Sequence, residues 1–180
     1  MKNPHTLKDL YSFPGFRAWV KLKPHPEDPD ARIVTLRRRQ KKNICSCCGR
    51  TGSGCYDRKI HRVRDLAGGG TRMYLEFEYR RINCHRCHAV KQETLAWLAA
   101  GGRFTQRFEE EIGRLCREMS VSRVAQLHRL GWEQVHRMEM AYMQRLLDRN
   151  PVPNDIRAIG IDEISIRKGH NYRIVVSDRE

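Results

Sequence analysis

The sequence predicts an α+β chain: a small β-rich module built around paired cysteines, then an all-α segment, then a short β-hairpin. Three observations carry this. Two Cys-x-x-Cys pairs bracket a stretch with strand periodicity. The period changes to that of helices from Thr105 to Leu147, and the last thirty residues return to β-prone runs. A length of 180 residues suffices for one or two small domains. The expected divisions are a basic N-terminal segment (1–44), the cysteine module (45–90), the helical region (91–150), and a linker with a final hairpin (151–180).

Composition narrows the function classes. With 39% hydrophobic and 31% charged residues, the chain fits folded modules rather than a disordered tail. No run approaches the roughly 18 apolar residues of a membrane span. Met1-Lys2-Asn3-Pro4-His5 lacks the apolar core of a signal peptide, so a cytoplasmic location is expected. The formal net charge is +14. It divides as +7 over 1–44, +5 over 45–90, +2 over 91–150 and zero over 151–180. Arginine outnumbers lysine 26 to 9. Its planar fork of donors fits phosphate or a guanine edge, whereas lysine is a point charge. The excess peaks at Arg37, Arg38, Arg39, Lys41 and Lys42, which become candidate DNA contacts. A lone basic run is usually just a solvated surface; 90 residues of excess point to nucleic acid.

The seven cysteines are at 45, 47, 48, 55, 84, 87 and 116. An odd number without a secretory signal argues against a disulfide framework. Cys45-Ser46-Cys47-Cys48-Gly49 and Cys84-His85-Arg86-Cys87 have the spacing that lets two thiolates grip one ion from a tight turn. Between them, Ile60–Leu66 reads as a strand, Gly68-Gly69-Gly70 as a turn and Thr71–Ile82 as a strand; Ala31–Arg37 adds another. Two knuckles bracketing a hairpin make a zinc-ribbon layout. Cys45, Cys48, Cys84 and Cys87 would be the ligands of a structural Zn²⁺, since four thiolates leave no open position for catalysis. Cys47 or Cys55 can stand in for a knuckle member, and His85 or His88 for Cys87. Iron also suits four thiolates. Cys116 sits in a helical pattern and reads as a small core residue.

In the helical region, Thr105 can cap a helix with Phe108, Ile112, Leu115 and Met119 on one face. Ser120 can cap a short second helix with Val121, Val124 and Ala125 inward. After a turn at Arg129-Leu130-Gly131, a third helix starts at Trp132 and aligns Val135, Met138 and Tyr142. Short helix, tight turn, longer helix is the helix-turn-helix arrangement. The turn glycine often found four residues after the small residue of the second helix is Arg129 here, and an ordinary antiparallel helix pair is the competing reading. Glu133, His136 and Arg137 point away from the apolar face of the third helix and are the candidate base readers, Arg137 foremost.

Asp148–Asn154 breaks the helix. Two β-prone runs follow, at 156–166 and 172–178, joined by a turn at Lys168-Gly169-His170-Asn171. Asp162 lies among apolar neighbours, a costly place for a carboxylate unless it is paired or binds a cation.

This order of motifs resembles bacterial insertion-sequence transposases of the IS-L-three family over nearly the whole chain. The most specific segments are "CCGRTG", "RRINCHRC" and "GIDEISIRKGHNY". The resemblance implies that the ribbon and helix-turn-helix bind terminal inverted repeats of double-stranded DNA. It also implies that the last segment opens an RNase-H-like domain with a DDE carboxylate triad. Asp162 matches the first catalytic aspartate; Glu163 follows it but is not of the triad. The triad exists to hold two Mg²⁺ or Mn²⁺ ions about 3.5–4 Å apart. The second Asp and the Glu lie further along in such folds, and Asp178 comes too early to be one of them. The expectation is therefore the DNA-binding portion of a truncated transposase, inactive alone, able to pair with a second copy or with a full-length transposase. Alternatives are a regulator of transposition that occupies the same DNA, or a zinc-ribbon RNA- or protein-interaction module.

Overall fold

The computed structural model describes residues 6–150, 158–167 and 171–178. It is α+β, and divides into two compact units, 1–142 and 143–180.

After a one-turn helix α1 (Leu7–Leu10), the first unit builds a sheet in the order β1-β2-β6-β5. Its strands are β1 (Phe16–Pro24), β2 (Ala31–Arg38), β5 (Asp57–Gly68) and β6 (Thr71–Cys84). Two short strands, β3 (Asn43–Ile44) and β4 (Thr51–Gly52), pair with each other, and β7 (Ala89–Gln92) pairs with the end of β6. The β5–β6 hairpin is long, and β6 alternates buried apolar Met73, Leu75 and Phe77 with polar residues. Val63 opposes Leu75 and His61 opposes Phe77 on the buried face, while Arg62 opposes Glu76 on the other. The turn between Gly68 and Thr71 has two residues, Gly69 (φ 57°) and Gly70 (φ 82°). Both need positive φ, which glycine adopts without strain.

The segment 1–44 is more structured than its charge suggested: β1 and β2 form an antiparallel hairpin within this sheet. In β1 the alternation is already in the sequence, with Phe16 and Ala18 buried and Arg17 and Trp19 exposed. β2 then runs parallel to β6 from Ala31↔Arg72 to Thr35↔Glu76. The core on the buried face joins Val34, Leu36, Leu75 and Phe77 to an aromatic group of Phe13, Phe16 and Trp97. Trp97 packs edge-on against Phe77, ring centroids 4.8 Å apart.

Three helices complete the first unit: α2 (Gln106–Leu115), α3 (Val121–His128) and the start of α4 (Trp132–Arg149). Thr105 caps α2 by accepting the Phe108 amide at 3.2 Å, and Ser120 caps α3 by accepting the Arg123 amide at 3.3 Å. Phe108, Ile112, Val124, Ala125, Val135 and Met138 are buried together. Gly113 lies where α2 meets Tyr142 of α4; a Cβ there would collide with the Tyr142 Cβ and Cγ.

The second unit holds the end of α4 and a hairpin of β8 (Ile159–Arg167) and β9 (Asn171–Asp178), antiparallel with Asp162 opposite Val175. α4 continues through Arg149, so the start of the expected linker is helical. Residues 151–154 of that linker, and residues 168–170 of the turn expected at 168–171, lie outside the described residues. Ile161, Ile174 and Val176 are exposed on one face of the hairpin and Ile164 and Val175 on the other. No helix among the described residues is long and apolar enough to cross a membrane.

Candidate metal centre and nucleic-acid interface

The two cysteine knuckles sit at the tips of two small hairpins. β3 and β4 pair on either side of the first, and β6 and β7 on either side of the second. Each knuckle turns through a left-handed residue directly after its second cysteine: Gly49 (φ 69°) and His88 (φ 49°). Glycine was the legible half of this pair; His88 takes the same backbone conformation with a side chain attached, which costs some strain.

The Sγ atoms of Cys45, Cys48, Cys84 and Cys87 all lie within 4.8 Å of one another. Cys45 and Cys87 approach to 3.9 Å, and Cys48 and Cys84 to 3.5 Å. A tetrahedral site with metal–sulfur bonds of about 2.3 Å has sulfur–sulfur edges of about 3.8 Å. The four thiols therefore fit a single tetrahedral ion. Backbone amides prepare them for ionisation. The Cys87 N–H lowers the Cys84 thiol to about 6, and the Cys48 and Cys47 N–H groups lower Cys45. Cys87 is pushed up instead, chiefly by the neighbouring Cys48 sulfur and then by burial. Four sulfurs this close cannot all become anionic until a cation joins them.

The sequence had left substitute ligands open. Among the described residues, these four cysteines are the group whose ligand atoms converge. Cys47 is exposed, and the Cys55 thiol faces the Asp57 carbonyl at 3.2 Å. His85 and His88 are exposed at the knuckle surface. Cys116 packs against the helical core, where burial pushes its thiol up.

Buried Glu93 ties the centre to the sheet. It forms a β-bridge with Cys45, and its carboxylate takes the Arg80 amide at 2.9 Å and an ion pair from Arg38. Here one basic-run residue parts from its neighbours. The Arg38 side chain is only 8% exposed, donates to the Glu78 carbonyl at 3.1 Å, and lies over the Phe16 ring. Its guanidinium is held by the protein rather than turned to solvent. Arg37, Arg39, Lys41 and Lys42 are exposed.

The helical pair has the backbone of a helix-turn-helix. Arg129 ends α3 in the left-handed region (φ 51°, ψ 52°) and α4 begins three residues later. Arginine thus occupies the conformation that a turn glycine would supply. On the first turns of α4, Glu133 and Arg137 are exposed, and Arg137 Nε donates to the Glu133 carbonyl at 3.3 Å. His136 is half-buried, stacks on Trp132 with centroids 4.8 Å apart, and faces the Glu139 carboxylate at 3.1 Å.

Two arginines and an aspartate that the sequence did not single out hold these helices on the sheet. Buried Arg64 of β5 donates to the His128 carbonyl at 2.6 Å, at the end of α3 where the helix dipole is negative. Its neighbour Asp65 accepts the Thr105 hydroxyl at 2.7 Å and Arg107 Nε at 2.8 Å. Nothing in local sequence marks these pairs, since the partners lie 40 to 64 residues apart.

Asp162 is exposed on β8 and its Oδ1 accepts the Glu163 amide at 2.8 Å. Among the described residues Asp162 is not part of a group of three or more converging metal-ligand atoms.

Residues 93–142 match the helix-turn-helix domain of transposase family ISL3. The matched span runs from Glu93 to Tyr142, covering α2, α3 and the first half of α4. Across 85% of the chain, 32% of residues are identical to the transposase for insertion sequence element IS1001 of Bordetella parapertussis. Across 84%, 30% are identical to the transposase for insertion sequence element IS1557 of Mycobacterium tuberculosis. The chain spans 38% and 35% of the length of these relatives. No solved structure matches it.

Proposed function

Because the chain carries the helix-turn-helix of transposase family ISL3 and is similar to insertion-sequence transposases over most of its length, we propose that it is the DNA-binding portion of such a transposase. In this reading it recognises the terminal inverted repeats of its own element. One observation carries the proposal. α3, the left-handed turn at Arg129 and α4 present exposed Glu133 and Arg137 at the start of the second helix of the pair, within the span matched to the family. That end of the helix is the part that enters a major groove in this motif. Arg137 supplies a bidentate donor fork for a guanine edge, and Glu133 an acceptor for cytosine N4. His136, half-buried between Trp132 and Glu139, steadies the same surface.

The four thiols hold structural Zn²⁺, whose role is to fix the two knuckle hairpins. Arg37, Arg39, Lys41 and Lys42 contact phosphates. Asp162 is the first carboxylate of a DDE triad, whose two further carboxylates would complete the metal site for strand transfer.

Nuclease footprinting tests the proposal on a DNA fragment spanning one end of the element. Protection confined to the terminal inverted repeat is expected. Protection spread evenly along the fragment, or none at all, contradicts it.

A further inference from the structure

A cleft on the β1–β2 hairpin is lined by Lys8, Arg17, Ala18, Trp19, Arg37 and Arg39 and encloses about 340 Å³. Every charged side chain in that lining is a cation. Arg17 and Arg37 stand directly opposite one another in the register of the two strands. Like charges in opposed cross-strand positions destabilise a sheet. The Arg37 guanidinium lies 3.6 Å from the centre of the Trp19 ring, and Trp19 remains 44% exposed. Among the described residues, none of Lys8, Arg17, Arg37 and Arg39 forms an ion pair with a carboxylate.

Elsewhere in the sheet several cations meet carboxylates. Lys23 and Arg62 share Glu76, Arg58 and Arg80 share Glu78, Arg72 meets Asp28, and Arg81 meets Asp57. The carboxylates of these strands are committed to those arginines and lysines. The cleft therefore concentrates positive charge that the protein itself does not neutralise. The exposed Trp19 ring lies against one of these guanidiniums. Such a cation–π contact lowers the entropy Arg37 loses on binding an anion.

We propose that this cleft is a second, sequence-independent contact to duplex DNA, gripping phosphodiester oxygens beside the duplex read by the helix-turn-helix. The proposal rests on the DNA-binding reading above. Arg17, Arg37 and Arg39 donate to phosphate oxygens, Lys8 adds a point charge, and Trp19 positions Arg37. Such contacts set affinity and salt dependence and carry no base information.

The test compares wild type, Arg17→Ala with Arg39→Ala, and Arg137→Ala by fluorescence anisotropy over a series of salt concentrations. Each protein meets the inverted-repeat duplex and a scrambled duplex. Each phosphate contact contributes about 0.9 to the slope of log affinity against log salt. The cleft double variant is expected to weaken binding to both duplexes by the same factor and to lower that slope by about 2. Its preference for the repeat should be unchanged. Arg137→Ala is expected to lose preference with little change in slope. A double variant with wild-type affinity and slope overturns the cleft while leaving the helix-turn-helix reading standing. A wild type without duplex affinity overturns that reading and the cleft together. As an independent readout in a Trp132→Phe background, which removes the other exposed tryptophan, bound DNA should shield Trp19 from acrylamide quenching, and adding Trp19→Phe should remove the shielded component. Quenching unaltered by DNA in that background also overturns the proposal.

Discussion

Gly113 and Tyr142 show how a single atom sets the spacing of two helices. Gly113 is buried on α2, and the Tyr142 side chain of α4 occupies the space a Cβ would need. The obstruction is the root of a side chain, its Cβ and Cγ, which cannot swing aside. Gly113→Ala is therefore expected to destabilise the first unit by about 1–3 kcal/mol or more, although alanine is the better helix former. A urea melt checks this; unchanged stability would show that α2 and α4 are not in close contact there. Glu76 makes a different prediction at the same scale. The Lys23 ammonium and then the Arg62 guanidinium hold its carboxyl below the ordinary glutamate value of 4.5, against the opposing effect of burial. A lowered folded-state value means stability that is complete above the unfolded value and lost as pH falls through the folded one. The stability gap between wild type and Glu76→Gln should thus be present at pH 7 and close below about pH 4.5. A gap that persists unchanged into strong acid would contradict the pairing. Arg129 needs no test to be instructive: the absent turn glycine looked like a weakness in the motif, yet the backbone adopts the glycine conformation with an arginine in place.

At the scale of elements, what was legible depended on whether the signal was local. Thr105 and Ser120 mark the helix starts because a hydroxyl three residues before an amide is a local contact. The Gly69-Gly70 turn and the Thr71–Ile82 alternation were legible for the same reason. The β1 strand was missed because positive charge dominated the reading of 1–44, although Phe16 and Ala18 already alternated with Arg17 and Trp19. The parallel pairing of β2 with β6 had no local signal at all, since the chain passes through the first knuckle and β5 in between. Four cysteine positions sufficed to mark the thiols that converge, but not Glu93, which bridges to Cys45 and takes the Arg38 ion pair. The knuckles yield a prediction. Cys84→Ser should lower bound zinc well below about one ion per chain and unfold the hairpins around the site. Metal analysis and circular dichroism read both effects; full zinc content in the variant would remove Cys84 from the ligand set.

Across the whole molecule, the +14 charge takes on a sorted form. Some of the 35 basic side chains pair internally, with Glu76, Glu78, Glu93, Asp28, Asp57 and Asp65. Others remain on the surface, as Arg17, Arg37, Arg39, Lys41 and Lys42 do. Arg137 belongs to a different group, placed by α4 rather than by the sheet. Arg64, Asp65 and Arg107 join sheet and helices within one compact unit, so both sets of cations act from a shared frame. Affinity should then come from the sheet and selectivity from the helix.

The most direct measurement is a fluorescence anisotropy titration at one fixed salt concentration, with the inverted-repeat duplex and a scrambled duplex of equal length. Wild type is expected to bind the repeat more tightly. Arg137→Ala should narrow the gap by roughly 5- to 150-fold, the 1–3 kcal/mol of one bidentate base contact. Equal affinity of the wild-type protein for both duplexes would contradict the account.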